Sequence, residues 1–198
     1  MKPIIFIAAF AFAMLPVAAN AVSIFTGSMT GSQEVPPNAS PGTGPVQLTL
    51  SDDQNSLTID LSFLGLTGGN VTAAHLHCCA GPGVNSPVAI GFPGFPAATS
   101  GTYNTIFDLT LAATFNSTFV TNNGGTAAGA RAALIAALFA GGTYVNLHNQ
   151  TFPGGEIRAD LAPVPLPAAI WLFGLGLAGL GGARAQRLLQ SRRAFESV

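Results

Sequence analysis

Along the middle of the chain apolar residues fall at every second position in short runs, and this period constrains the fold more than any other feature. The runs cover residues 23–29, 46–50, 57–64, 71–77, 87–92, 102–109, 143–148 and 156–161. A period of two gives each strand one face for a core and one for water. Turn-forming stretches separate them, among them Asp52-Asp53-Gln54-Asn55, Gly68-Gly69-Asn70 and Pro153-Gly154-Gly155. The pattern predicts an all-β domain, a Greek-key-like antiparallel β-sandwich of about eight strands. One segment departs from it: residues 126–140 are rich in Ala and Leu, place Leu134, Ile135, Leu138 and Phe139 at helical spacing, and stop at Gly141-Gly142. One short helix is expected there, covering an open end or edge of the sandwich. No fixed longer repeat is present, which argues against a solenoid.

The two ends of the chain read as targeting segments. Met1 and Lys2 precede an apolar run over residues 4–15, and Ala19-Asn20-Ala21 places small residues before a cut. The run is interrupted by Pro16 and falls short of the roughly 20 apolar residues a membrane span needs, so residues 1–21 are expected to be a signal peptide and Val22 the mature start. At the other end, Pro163, Val164, Pro165, Leu166 and Pro167 stop the domain. Residues 166–183 carry no charge and as a helix would reach about 27 Å, close to the roughly 30 Å hydrocarbon core. Arg184, Arg187, Arg192 and Arg193 follow and would hold that end in the cytoplasm. Three parts result: signal peptide 1–21, β domain 22–162, and a tail 163–198 with a transmembrane helix and a basic end. The expected location is the periplasm, outer envelope or exterior, with transient or permanent membrane anchoring.

The domain between the ends holds seven acidic residues and two basic ones, Arg131 and Arg158, a net charge of −5. Phosphate binding needs clustered Lys and Arg, so nucleic acid is excluded as a partner. No G-x-S-x-G, phosphate-binding loop or zinc-protease helix motif occurs. The chain is expected not to be an enzyme, metal-dependent redox chemistry being the minority alternative.

Candidate chemistry rests on three histidines, His75, His77 and His148, the only ones in the chain. On a strand over 71–77, Ala74 and Leu76 share one face while Ala73, His75 and His77 share the other; on a strand over 143–148, Val145 and Leu147 oppose Tyr144, Asn146 and His148. Parity therefore sends the apolar members to the core and the imidazoles outward, where they could meet one copper or zinc ion if the strands are neighbours. Three surface histidines bonded to turns is the alternative. Arg158 is either a guide for an anion or a solvated residue paired with Glu156 or Asp160. Cys78 and Cys79 are the only cysteines. A trans peptide sets their Cα atoms about 3.8 Å apart, below the usual disulfide range, so three fates stay open: a strained vicinal disulfide, an intermolecular bridge, or Cys79 coordination beside the histidines. Asp52 and Asp53 fit a β-turn better than a calcium loop, and Gln33-Glu34-Val35-Pro36-Pro37 fits a shaped loop better than a proline-rich ligand.

Three ordered blocks carry a family resemblance. Gly31-Ser32-Gln33-Glu34-Val35-Pro36-Pro37, Val71-Thr72-Ala73-Ala74-His75-Leu76-His77, and Tyr144-Val145-Asn146-Leu147-His148 with Phe152-Pro153-Gly154-Gly155-Glu156-Ile157-Arg158 resemble the CHRD domain, named after the module of chordin. The chain departs from the commonest form at Cys78-Cys79, where a glycine usually follows the second histidine. The H-x-H on a sandwich strand is similar to the copper site of Cu/Zn superoxide dismutase, and both likenesses imply that the two histidine strands are adjacent. Val164-Pro165-Leu166-Pro167-Ala168-Ala169, with Trp171-Leu172-Phe173-Gly174 and the arginines, resembles the PEP-CTERM sorting signal. That resemblance implies an exosortase-type sorting protease as partner, and extracellular polysaccharide or biofilm matrix as destination. The expected role is a non-catalytic envelope or matrix protein, with a copper- or zinc-binding module as the alternative.

Overall fold

The computed structural model describes residues 22–165. Antiparallel strands dominate it: β1 (Ser23–Thr30), β2 (Thr43–Leu50), β3 (Ser56–Phe63), β4 (Val71–Cys78), β5 (Val88–Gly91), β6 (Gly101–Asp108), β7 (Thr143–Asn149), β8 (Ile157–Asp160) and β9 (Ala162–Pro163). They form one sheet in the order β5-β4-β7-β8-β1-β2-β3-β6, with β9 beside β1. Alternation supplies the core: Phe25 and Met29 of β1, Leu48 and Leu50 of β2, Leu57 and Ile59 of β3, Leu76 of β4 and Leu147 of β7 are each no more than 1 % exposed. The sheet curls until its outermost strands meet through side chains. Phe92, just past β5, lies 5.4 Å from the Tyr103 ring and 6.1 Å from the Phe107 ring of β6.

The sandwich is therefore two halves of one sheet, and their seam lies between β8 and β1. Only Thr30 and Arg158 pair there, after which the chain steps across to pair Ala162 with Thr26 and Pro163 with Phe25. Such a corner brings two backbones close. At Gly27 a Cβ would sit 2.7 Å from the Asp160 carbonyl oxygen and 3.0 Å from the Ala159 Cβ. Gly27→Ala is accordingly expected to lower stability by about 1–3 kcal/mol through overpacking, measured by urea unfolding; an unchanged midpoint would show that the seam is not closely packed.

Helix α2 (Ala127–Ala140) closes one end. Thr126 caps it by accepting from the Gly129 N–H at 3.1 Å, and Gly141, at φ +69°, ends it in the left-handed region that favours glycine. Leu134 and Leu138 are fully buried and Phe139 packs edge-on to Phe25 at 5.2 Å. A second helix, α1 (Ser117–Asn122), capped by Asn116, and the strand β9 go beyond the sequence expectation. Asp53 builds the β2–β3 turn, its Oδ1 accepting from Ser51 Oγ at 2.7 Å and from the Asn55 N–H at 3.0 Å. At the C-terminal side Val164 donates its N–H to the Ile24 carbonyl at 2.8 Å. The expected signal peptide and the tail from residue 166 onward, with Leu166, Pro167, Arg184 and Arg187, lie outside the described residues. Among the described residues no helix is long and apolar enough to cross a membrane.

Candidate metal centre

Strands β4 and β7 are direct neighbours, with Ala73 opposite His148, His75 opposite Asn146 and His77 opposite Tyr144. The small side chain of Ala73 leaves room for His148 to lean toward His75. The ring centroids of His148 stand 5.0 Å from His75 and 6.3 Å from His77, and those of His75 and His77 are 5.6 Å apart. One nitrogen from each ring falls within 4.8 Å of the others, so the three rings converge on one point.

Backbone carbonyls orient two of the rings. His77 Nδ1 is 2.7 Å from the Ser86 carbonyl oxygen and His148 Nδ1 is 3.0 Å from that of Pro153. A carbonyl only accepts, so both Nδ1 atoms carry the proton and both Nε2 atoms present lone pairs. His75 Nδ1 lies 3.2 Å from His148 Nε2. His77 Nε2 is buried and meets no donor among the described residues, an arrangement that costs about 1–3 kcal/mol unless something fills it. All three rings are held in the neutral form. Burial, then the neighbouring His148 and His77, pushes His75 down to about 4. Burial also lowers His77 and His148, against the opposing hydrogen bonds to Ser86 and Pro153. Neutral imidazoles with a carbonyl behind the ring are the state in which histidine binds a metal.

The face carrying the rings is not open to water as parity alone suggested. The 79–87 loop folds over it, leaving His77 only 8 % exposed and His75 and His148 half-buried. Under that cover three groups stack in strand order. The Tyr144 ring lies parallel to His77 at 4.5 Å, and the Arg158 guanidinium sits 3.5 Å from the centroid of Tyr144. Tyr144 Oη donates to the Ser86 carbonyl at 3.2 Å, the same oxygen that serves His77. Of the two readings of Arg158, anion guide or solvated residue paired with an acid, the pairing with Asp160 is present but the solvation is not: the residue is fully buried. It is paired with Asp160 at 2.7 Å and donates to Asn85 Oδ1 and the Val84 carbonyl at 3.1 Å. The reason is the loop cover, which a strand pattern does not register.

Two acidic residues unmarked by periodicity are also buried. Glu156 accepts from Ser40 Oγ at 2.6 Å and the Thr67 N–H at 2.7 Å, and also from Gly68 and Asn149. Burial raises its carboxyl, but these bonds outweigh it and hold it below the ordinary value. Glu34 is 4 % exposed, and its Oε1 and the Asn146 Oδ1 find no partner among the described residues. Burial, partly offset by Arg158, pushes Glu34 up from 4.5 to about 7. The folded chain then binds the extra proton between those values, so this contribution to stability is complete below the unfolded value and is lost as pH rises through the folded one. Glu34→Gln is expected to remove a decline of at most about 3 kcal/mol, seen by comparing urea unfolding of variant and parent from acid to about pH 8. Parallel pH profiles would contradict the assignment.

Cys78 and Cys79 are joined in a disulfide across a cis peptide, with Cα atoms 3.2 Å apart rather than at the trans spacing used in the sequence argument. Both sulfurs are taken up, so neither thiolate coordination nor an intermolecular bridge is the arrangement present. Cys79 points to α2, with Sγ 3.8 Å from the Ala133 carbonyl oxygen, and is not part of the histidine group. An open groove of about 750 Å³ between β4, β5 and the 113–116 segment reaches His75.

The three sequence blocks adjoin: His75 and His77 of the second block pair with Asn146 and Tyr144 of the third, and Gly155 of the third lies against the Glu34 carboxylate of the first. A curled antiparallel β domain with a polar three-histidine centre under a loop defines a β-sandwich protein with a candidate metal site. The chain belongs to the CHRD domain family, whose model matches residues 25–161, and a PEP-CTERM protein-sorting motif matches residues 163–187. It is thus an exported protein handled by an exosortase-type sorting system, with a C-terminal membrane anchor. Comparison with curated proteins finds no match, and comparison with solved structures finds none.

Proposed function

We propose that this exported CHRD domain is a non-catalytic metal-holding module of the envelope, with one copper or zinc ion bound by His75, His77 and His148. The observation that carries the reading is the convergence of three neutral imidazoles within 4.8 Å, two of them fixed in the tautomer that presents Nε2. The buried His77 Nε2, which has no partner within hydrogen-bond distance among the described residues, fits a cation better than a purely structural cluster. A holding role is favoured over catalysis on charge. The domain is net acidic and Arg158 is fully buried and committed to Asp160, Asn85 and Val84, so it cannot steer an anionic substrate. Elemental analysis of the protein recovered from the periplasm or medium, after dialysis against a weak chelator, is expected to find one copper or zinc per chain. Metal-free protein that takes up neither ion, while binding extracellular polysaccharide, would replace this reading with a matrix-binding one.

A further inference from the structure

We infer that the Cys78–Cys79 disulfide is a thiol-exchange site which a dithiol opens at Cys79, and that opening it weakens metal binding by loosening the 79–87 loop. The second half rests on the metal-holding reading; the first does not. The two sulfurs are unequal: Cys78 is 1 % exposed in the core, whereas Cys79 is exposed beside a depression of about 480 Å³ lined by Ala133, Ala136 and Ala137 of α2. Exchange requires access to the sulfur under attack, and only Cys79 offers it. A thiolate of the dithiol attacks Cys79 Sγ, the 78–79 bond breaks, and the Cys78 sulfur leaves and takes up a proton. The second thiol then displaces Cys79, which is protonated in turn. The dithiol departs as its own disulfide, and the protein has gained two electrons and two protons.

The link to the histidines is the loop that begins at this bond. Its far half is pinned: the Gly83 N–H donates to Asp160 at 2.9 Å, Asn85 Nδ2 donates to the Val35 carbonyl at 2.9 Å, and Arg158 holds Val84 and Asn85. Its near end starts at the disulfide, which joins the adjacent residues 78 and 79 and so fixes the peptide from which the loop departs, one residue after His77. Between them, the Cys78 N–H donates to the Pro87 carbonyl at 3.1 Å and Ser86 offers the carbonyl that orients His77. Neither sulfur reaches the histidine group, so reduction acts through Ser86 and supplies no new ligand. Outer-shell partners of metal-bound histidines are worth about 10–100-fold in affinity, and with the far half still pinned the low end is expected.

Metal-free full-length chain in detergent, treated with dithiothreitol under native conditions and then iodoacetamide, is expected to be carbamidomethylated on the exposed Cys79, with the buried Cys78 labelled fully only on unfolding. Reduced chain, freed of dithiothreitol by anaerobic gel filtration, is expected to bind zinc about ten-fold more weakly than oxidised chain. The Cys78→Ala, Cys79→Ala double variant should match the reduced chain and ignore the reductant. Labelling of Cys79 only after denaturation overturns the exchange site, and its labelling with unchanged zinc affinity overturns the coupling. Tighter zinc binding on reduction also overturns it, since a thiolate would then have joined the ligands. Should oxidised chain bind no zinc, the metal reading fails, and the labelling result still decides the exchange site alone.

Discussion

Replacing His148 with alanine is expected to abolish stoichiometric metal uptake while leaving the melting temperature of the metal-free chain nearly unchanged. His77→Ala should lose the metal equally and lose stability as well. Removing an outer-shell partner already costs about 10–100-fold in affinity, so loss of a ligand should exceed that upper figure. The variants part in stability because their surroundings differ. His148 is half-buried, and its protein contacts are the Pro153 carbonyl and the edge of His75. His77 is 8 % exposed and stacked on Tyr144 at 4.5 Å, so truncation leaves a gap against that ring and frees the Ser86 carbonyl from one donor. A loss of about 2 kcal/mol is expected for His77→Ala. Zinc titration with thermal unfolding of the metal-free proteins reads both effects. A His148→Ala protein that still holds one tightly bound ion per chain would sink the three-histidine site.

Most strands were legible because the physics that writes a strand into sequence is local. Alternation over 57–64 and 102–109 marks β3 and β6 closely, since each packs one face on the core and shows the other to water. Helix α2 was legible through Leu134, Leu138 and the glycine stop. Helix α1 was not, because six residues make fewer than two turns, too few for an apolar stripe to repeat, and its one buried side chain is Phe119. Nor was β9, two residues long and ending in proline, which pairs through backbone position alone.

Which residues share a strand face could be read from parity, and the same side chains of β4 and β7 do lie together. What parity could not give was the burial of that face. The 79–87 loop has no periodicity of its own, yet it decides that His77, Tyr144, Asn146 and Arg158 lie inside a small polar core outside the sheet. Glu34 looked like part of a proline-shaped loop. Its signal was Gly155: a Cβ there would run into the Glu34 carboxylate, so a glycine pair 120 residues downstream makes room for a buried acid. Long-range pairings of this kind leave no mark at short spacing.

Arg158 is where the seam, the loop and the histidine centre meet, and Arg158→Met is expected to be the most destabilising single change in the polar core. The residue makes the single β8–β1 pair with Thr30, lies over Tyr144, and is the cation whose charge lowers buried Glu34. Methionine can fill part of the volume, but it cannot donate to Asp160, Asn85 or Val84. Asp160 keeps some water contact, so its loss is moderate; Glu34 has almost none and is left without a countercharge. Breaking a buried pair from one side costs about 3–5 kcal/mol; the direct pair here is Arg158–Asp160, while Glu34 feels the guanidinium charge without touching it. Neutralising Glu34 as well should recover the share of the loss that Glu34 causes, so the Glu34→Gln, Arg158→Met double variant is expected to give a coupling energy of about 1–3 kcal/mol in a double-mutant cycle. Because the lone variant must protonate Glu34 to fold, its deficit should also deepen as pH rises, and the double variant should not share that slope. A strictly additive cycle, or a lone-variant cost below about 1 kcal/mol, would mean that the polar core is held by packing around Tyr144 and not by its charges.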